Sequence, residues 1–387
     1  MGPAGAGARC DARTGRDAAR PRHRPGARRR AAQVSVVVER PAAVSGLEWT
    51  VLRGDREQVF RALGEVHAAD IARVRERQDG MWQSLVHRAE GTAHDRFAKV
   101  VASSARLLPV EAQEIEWMAA GAGIAATELW AMNLRGDLGR DGLGCSDLAV
   151  AVDGGVVMGH NEDGGDELRG DVRLVTLDID GDPTVTAVWY PGMLPANAFV
   201  TTSAGLSFGM DHVSVAVADL GGAGRHLVAR HAQRRRDGDA ARAALTGVAC
   251  AGGFAFDVAD AAGRVDLVEN AAGRVATAGG GFGPLRHTNH LCLDDLAGSL
   301  GADPDGAGLA ESRGRLAALT AACRSPAGPG DVFGALRAPG VLNRAEDLWT
   351  YATIVVDTAA DTVMLQASAE IWTGRLSAFA RGERVDA

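Results

Sequence analysis

Lysine is almost missing from this chain, since Lys99 is the only one among 41 lysine and arginine residues. A P-loop needs a lysine directly after its glycines, and no such pattern occurs. Schiff-base chemistry would depend on Lys99, which the stretch RFAKVV places on an exposed helix position. The scarcity of lysine therefore argues against both P-loop nucleotide chemistry and imine chemistry.

Paired cysteines and long apolar runs are missing as well. The five cysteines are odd in number and widely spaced, and none forms a C-x-x-C pair. This pattern argues against a disulfide framework or a zinc cage, and it predicts a reducing compartment, the cytoplasm. No run approaches about 18 apolar residues, so no membrane span is predicted.

Charge is distributed unevenly along the chain. Residues 1–33 hold nine arginines and two aspartates, so the net charge of −8 leaves −15 for the remainder. A body this acidic is a poor partner for nucleic acid. Residues 1–33 lack the apolar stretch of a signal peptide and are predicted to be a disordered extension. A nucleic-acid-binding tail is the alternative, and whether the segment belongs to the native protein stays open.

Helices are predicted in the first third of the chain and strands with a few helices in the rest. Residues 55–135 show helical spacing, with Pro109 in a first turn and Thr127 as a cap. GAGIAA at 121–126 matches a dinucleotide fingerprint but follows a helical pattern, so close helix packing explains its glycines better. Short strands joined by turns after residue 145 favour antiparallel sheets in an α+β architecture.

The stretch DGLGCSDLAVAVDGGVVMGHNED, residues 141–163, predicts a β-hairpin that carries a cysteine and an acidic cluster. Asp-Gly is among the strongest hairpin signals. A two-residue loop would place Cys145 opposite Glu162, whereas a three-residue loop would place it opposite Asp163. Either register brings a carboxylate beside the thiol.

A cysteine that follows a glycine can attack its own preceding carbonyl, here that of Gly144. The N→S acyl shift makes a thioester, and water then releases a chain that begins with Cys145. Its α-amino group, with an unperturbed pKa of about 7.7–8.0, can act as general base for the thiol. No catalytic histidine is then required. The simpler interpretation, a buried cysteine at the start of a strand, stays open.

Two other patterns indicate weaker candidate sites. TTSAG at 201–205 resembles a G-x-S-x-G elbow around Ser203 but lacks its first glycine. His287 and His290 have metal-ligand spacing, but no third ligand cluster is evident, so no metal site is predicted. A structural or substrate-side role is preferred for these histidines.

A set of motifs in order resembles one family over roughly residues 45–370. The motifs are the helical stretch EIEWMAAGAGIAATELWAMNLR, then GCS, GHNED, YPGMLPA, TNH and ESRGRLAAL. Together they resemble the acyl-CoA:isopenicillin-N acyltransferases and the related carcinine and β-alanyl-dopamine hydrolases, which are N-terminal nucleophile hydrolases. The chain departs from the family at Asp211, where asparagine is common.

The resemblance implies an α+β fold, a four-layer αββα sandwich of two antiparallel sheets. It implies a single domain over residues 34–387, self-cleaved into an α chain, 34–144, and a β chain, 145–387, that remain associated. Cys145 would be the nucleophile exposed by cleavage after Gly144.

The resemblance also assigns roles to residues around the nucleophile. Asp163 would orient the nucleophile and its amine, and Asn289 would donate its side-chain amide to the oxyanion. Losing one such donor typically costs about 2.7–4 kcal/mol. Supporting or substrate-binding positions would be Asn161, Glu162, Tyr190, Ser203, His290 and Arg313.

Three classes of function follow. The first is an amidohydrolase that cleaves a small acylated amine or an N-acyl amino acid through a thioester at Cys145. The second is an acyltransferase that passes the acyl group, from an amide or an acyl thioester donor, to an amine. The third is a processed but catalytically silent binding protein. No metal, organic cofactor, nucleic acid or membrane partner is implied.

Overall fold

The computed structural model describes most of the chain after the arginine-rich segment. The described residues are 36–77, 87, 90–91, 94–138, 144–165, 168–279, 283–297, 307–345 and 347–387. The extension predicted at residues 1–33 lies outside them. Residues 35–387 form one compact unit.

Eleven helices are present in the described residues. They are α1 Arg56–Val66, α2 Ala68–Arg77, α3 His94–Leu107, α4 Pro109–Ala122, α5 Ala126–Asn133, α6 Arg135–Leu138, α7 Arg225–Gln233, α8 Gly238–Gly247, α9 Ala307–Ala322, α10 Pro329–Leu336 and α11 Leu376–Phe379.

Fifteen strands are present in the same part of the chain. They are β1 Val37–Glu39, β2 Trp49–Gly54, β3 Ser146–Val152, β4 Gly155–Gly164, β5 Arg173–Ile179, β6 Val185–Trp189, β7 Phe199–Thr202, β8 Leu206–His212, β9 Gly253–Asp260, β10 Val265–Ala271, β11 Arg274–Gly279, β12 Leu285–His287, β13 Trp349–Asp357, β14 Thr362–Gln366 and β15 Trp372–Arg375.

The strands form two stacked sheets. A nine-stranded sheet has the order β1-β2-β5-β6-β7-β8-β9-β10-β11, and a six-stranded sheet has the order β12-β3-β4-β13-β14-β15. Neighbours pair antiparallel except for the parallel pair β2 and β5. Strands β3 and β4 pack against β8 and β9, which joins the two sheets face to face.

Helices cover the outer face of each sheet. Helices α1 and α8 pack on the nine-stranded sheet, and α4 packs on α1. Helix α10 packs on β3, β4 and β13 of the other sheet through Val332, Leu336, Val157 and Val355. The predicted four-layer αββα sandwich of the α+β class is therefore confirmed.

Local signals at the helix ends have mixed outcomes. Pro109 begins α4, as predicted, because its missing N–H costs nothing there. The cap predicted at Thr127 is wrong, since α5 begins at Ala126 after an Ala125 cap position that has no side-chain bond. Gly123 ends α4 with φ +70°, so GAGIAA belongs to a helix end and not to a strand–helix turn.

None of the described helices combines the length and the apolar composition needed to cross a bilayer.

Candidate active site

The β3–β4 hairpin places Cys145 beside Glu162. Its turn is the two-residue loop Asp153–Gly154, because Val152 pairs with Gly155 and Ser146 pairs with Asn161. Of the two predicted registers, the structure therefore has the first. The Cys145 Sγ lies 3.7 Å from Glu162 Oε2.

Side chains of β4 alternate between the two faces of its sheet. His160 and Glu162 bond to one another on the face toward the nine-stranded sheet. Asn161 points to the helical side, where its Nδ2 donates to the Leu336 carbonyl over 2.7 Å. Asn161 therefore joins the sheet to α10 and does not approach the thiol.

A buried chain of polar groups holds Glu162. The predicted supporting residue Tyr190 donates its hydroxyl to Glu162 Oε1. His160 Nε2 lies 2.9 Å from Glu162 Oε2, and His160 Nδ1 lies 2.8 Å from Asp147 Oδ1. Burial and the negative charge of Glu162 raise the pKa of the Cys145 thiol well above its usual value. In the uncut chain Cys145 is therefore a protonated thiol.

Gly144 occupies a position that only glycine fits. Its φ is +155°, and a Cβ there would lie 2.6 Å from Asp163 Cβ and 2.7 Å from Leu348 Cδ1. Both the backbone conformation and the close approach of β4 exclude a side chain. The residue before the nucleophile is thus fixed against Asp163.

Asn289 contacts the peptide bond between Gly144 and Cys145. Its Oδ1 accepts from Gly144 N over 2.7 Å and from Cys145 N over 2.9 Å. Its Nδ2 donates to the His212 carbonyl over 3.1 Å. The amide oxygen therefore faces the nucleophile in the uncut chain, and the oxyanion role assigned to the NH₂ group stays a prediction.

Asp163 lies under the same peptide on the helical side. Its Oδ2 accepts from Asn343 Nδ2 over 2.8 Å, whereas its Oδ1 is buried with no hydrogen-bond partner in the described part of the chain. Burial raises the pKa of Asp163 to about 7, although the charge of Arg315 opposes the shift. An unsatisfied buried carboxylate oxygen is costly and is well placed for a cation.

Arg315 of α9 lies at the candidate site, and the sequence predictions did not include it. The Arg315 side chain is 1% exposed and donates to the Cys145 carbonyl, and its Nη2 lies 2.9 Å from Asn289 Oδ1. Its Nη1 lies 4.0 Å from Asp163 Oδ2. Arg315 thus links the backbone of the nucleophile to both residues that the resemblance assigned to the site.

The arginine predicted from the same helix, Arg313, lies on the exposed face of α9, away from Cys145. Arg313 is exposed and lines a surface groove with Leu316 and Thr320. Helical geometry separates positions two apart by about 200°, so only one of the two arginines can face the sheet. The motif ESRGRLAAL resembles an S-x-x-R pattern of the family. Counting from Ser312 in this pattern leads to Arg315 and would have identified it.

Two further predicted residues lie around the site or away from it. His290 is adjacent to Asn289, and its Nδ1 lies 2.8 Å from Ser312 Oγ, which anchors the segment to α9. Ser203 is exposed in the β7–β8 turn, where its Oγ accepts from Thr184 N over 2.9 Å. This turn contacts the β9–β10 turn, because Gly205 lies beside Ala261. The β9–β10 turn in its turn contacts the start of β4, because Gly263 lies beside Gly155. Ser203 is therefore at the turn end of the hairpin, remote from Cys145.

Side chains of metal-ligand types form three groups in the described part of the chain. Ligand atoms lie within 4.8 Å of one another in Glu269, His287 and Cys292, in Cys145, His160 and Glu162, and in Asp147, His160 and Asp211. His287 Nδ1 lies 2.7 Å from Asp211 Oδ2, an arrangement also typical of metal-binding histidines. Glu269 Oε1 already accepts from Cys292 N over 2.5 Å, so hydrogen bonding explains why Glu269, His287 and Cys292 lie together without an ion.

The raised pKa of Asp163 predicts a pH dependence of stability in the Cys145→Ala protein, which we expect to stay uncut. An unfolded Asp163 ionises near pH 3.9, whereas the folded residue keeps its proton up to about pH 7. The native state therefore binds more protons in this window, and the free energy of unfolding falls as pH rises from about 4 to 7.

Adding Asp163→Asn to the Cys145→Ala protein should remove this fall in the free energy of unfolding, because asparagine does not titrate. Urea denaturation of both proteins across this window should show the asparagine variant gaining relative stability with pH, by a few kcal/mol at about 1.4 kcal/mol per pKa unit. Asp147 and Asp257 are present in both proteins, so they contribute equally to the two curves of stability against pH. Two parallel curves would contradict the assignment.

Residues 150–305, about two fifths of the chain, match the family model of acyl-coenzyme A:6-aminopenicillanic acid acyl-transferase. The matched range contains Glu162, Asp163 and Asn289, and it begins after Cys145. No curated protein sequence matches the chain.

Many solved structures are similar to the chain, three of them at 12–13% sequence identity. A mutant conjugated bile acid hydrolase from Clostridium perfringens is 12% identical, with 60% of this chain and 92% of that chain covered and a TM-score of 0.40. An N-acylethanolamine-hydrolyzing acid amidase ortholog from Caenorhabditis elegans is 13% identical, with 59% and 98% covered and a TM-score of 0.43. Penicillin V acylase from Agrobacterium tumefaciens is 12% identical, with 60% and 86% covered and a TM-score of 0.38.

Over residues 150–305, the family match confirms the resemblance predicted from the sequence.

Proposed function

We propose that this protein is a self-processed amidohydrolase whose nucleophile is Cys145. The observation that carries the proposal is the convergence of Asn289, Arg315 and Asp163 on the backbone of Gly144 and Cys145. Asn289 accepts from the amide of the Gly144–Cys145 peptide, Arg315 donates to the carbonyl of Cys145, and Asp163 packs against Gly144, an arrangement that a merely structural cysteine would not need.

Processing would proceed by attack of Cys145 Sγ on the Gly144 carbonyl carbon. The C–N bond breaks, a thioester forms, and the thiol proton passes to the departing nitrogen, which becomes the α-amine. Water then cleaves the thioester to give the Gly144 carboxylate and a free thiol. Glu162, at 3.7 Å from Sγ, is the carboxylate positioned to take the thiol proton first and then pass it to that nitrogen.

The new α-amine would meet groups already in place. Asn289 Oδ1 accepts from Cys145 N in the uncut chain and can accept from the amine after cleavage. Asp163 Oδ1, buried and unpartnered in the described residues, would gain a cationic or hydrogen-bonding neighbour. The amine would serve as general base at working pH, since its unperturbed pKa is about 7.7–8.0.

Catalysis would then use the same sulfur on a substrate amide. Cys145 Sγ attacks the substrate carbonyl, the amine product leaves with a proton from the α-ammonium, and a thioester acyl-enzyme remains. Water resolves this intermediate in a hydrolase. The substrate would be a small acylated amine or an N-acyl amino acid.

Acyl transfer is the second candidate, because the family whose model matches is named as an acyl-transferase. Both reactions share the acyl-enzyme and differ in whether water or an amine resolves it. We would incubate processed protein with an N-acyl amino acid, with and without an amine acceptor, and identify the products and the acylated β chain by mass spectrometry. A protein that is processed but never acylated would instead be a binding protein.

The two chains are proposed to remain associated after cleavage. Strand β2, before the cleavage point, pairs with β5 after it along six residues, and α4 salt-bridges α7 through buried Glu114 and Arg230. Separation would expose this core to water. The free thiols of Cys145, Cys250, Cys292 and Cys323 support the predicted reducing, cytoplasmic location.

A further inference from the structure

A cavity of about 580 Å³ adjoins the candidate active site. Its wall includes Thr350, which pairs with Asp163 across β13 and β4, and Tyr351. The Tyr351 ring lies 6.1 Å from the ring of Tyr190, whose hydroxyl bonds Glu162 beside the thiol. The volume is within the usual range for small-molecule sites, about 300–1,000 Å³.

Arginines dominate the charge of this cavity. Arg169, Arg337 and Arg344 line it, and the described lining residues include no carboxylate. Arg169 and Arg344 stack on the Trp349 ring, with guanidinium carbons 3.7 Å and 4.6 Å from its centroid. Burial, together with repulsion from Arg337 and Arg169, holds the pKa of Arg344 below its usual range, although the charge of Asp163 opposes the shift.

Two of these arginines have donors to spare. Arg344 is anchored through Nη1, which donates to the Asn343 carbonyl over 2.8 Å and to the Thr350 carbonyl over 3.0 Å. Arg337 Nη1 is buried without a hydrogen-bond partner in the described residues, and burial lowers the pKa of Arg337. A buried, unpaired donor such as Arg337 Nη1 is unfavourable unless a ligand satisfies it.

We propose that this cavity binds a carboxylate of the substrate, held by Arg337 and Arg344 beside the indole of Trp349. The inference rests on the proposed function and narrows it from acylated amines in general to N-acyl amino acids. Arginine suits this role because its planar fork matches a carboxylate in two parallel hydrogen bonds. Leu47, Val172 and Trp349 supply apolar wall for the rest of the molecule.

Equilibrium binding to the uncut Cys145→Ala protein tests the proposal without turnover. The probes are N-acetyl-, N-phenylacetyl- and N-dodecanoylglycine, each compared with its carboxamide by calorimetry. For at least one pair we expect the acid to bind about 10- to 100-fold more tightly, as expected for charge-assisted hydrogen bonds. Arg344→Gln and Arg337→Gln should each abolish that preference, and Arg324→Gln, at an exposed arginine outside this cavity, should keep it.

The result separates the two proposals. Equal binding of acid and amide, binding of neither, or a preference that survives both cavity substitutions overturns the carboxylate site. The proposed function is judged on the wild-type protein, by cleavage at Gly144–Cys145 and by acylation of the β chain with either member of a pair. Wild-type enzyme that cleaves acids and amides equally well keeps the amidohydrolase and loses only the inference.

Discussion

Replacing Cys145 by alanine should leave a single uncut chain without amidase activity, whereas the wild type should mature into two chains split between Gly144 and Cys145. The substitution removes the sulfur of the residue that follows the Gly144 carbonyl and leaves Asn289 and Arg315 in place. Intact-mass measurement of the purified proteins under denaturing conditions decides the point. The loss should be complete, because the acyl shift has no other nucleophile.

Cys250→Ala is the matched control for this experiment. Cys250 is buried, at 0% exposure against 8% for Cys145, burial likewise raises the pKa of its thiol, and its backbone N–H also donates to an asparagine side chain, that of Asn270. We expect Cys250→Ala to be processed normally. A wild-type protein that remains one chain after prolonged incubation would remove the self-processing mechanism, and the assigned amine base with it.

The part of the site that the sequence predicts is the part formed locally. Cys145 and Glu162 meet because a two-residue turn fixes the register of one hairpin, so counting from Asp153–Gly154 is sufficient. The face of each side chain follows from the same count, which is why Asn161 belongs to the helix contact and not to the thiol.

Contacts between distant segments could not be derived in this way. Arg315 bonds the Cys145 carbonyl across 170 positions of sequence, and Asn289 bonds the Cys145 amide across 144. Asn289 was identified only through a resemblance, whereas the choice between Arg313 and Arg315 required knowing which side of α9 faces the sheet. The arginine cavity is lined by residues from β13 and from separate loops, so no local sequence pattern predicts it.

Arg315→Met should have the second largest effect, a severe loss of processing together with a loss of stability. The methionine keeps much of the buried volume but removes the donors to the Cys145 carbonyl and to Asn289 Oδ1. Losing a hydrogen bond from a charged donor to a buried acceptor typically costs about 1.5–3 kcal/mol. Processing, followed as the fraction of cleaved chain over time, should slow at least about 100-fold, since the peptide is no longer held in one position.

Arg313→Met, two positions away on the same helix, makes the same chemical change on the exposed face. It should alter the free energy of unfolding by no more than about 0.5 kcal/mol and leave processing intact. Arg315→Lys retains the charge but loses the fork that reaches both the Cys145 carbonyl and Asn289, so it should fold better than the methionine variant and still process slowly. If Arg315→Met matures at the rate of Arg313→Met while folded, the arginine does not position the scissile peptide, and the convergence of side chains on Gly144–Cys145 loses its central member.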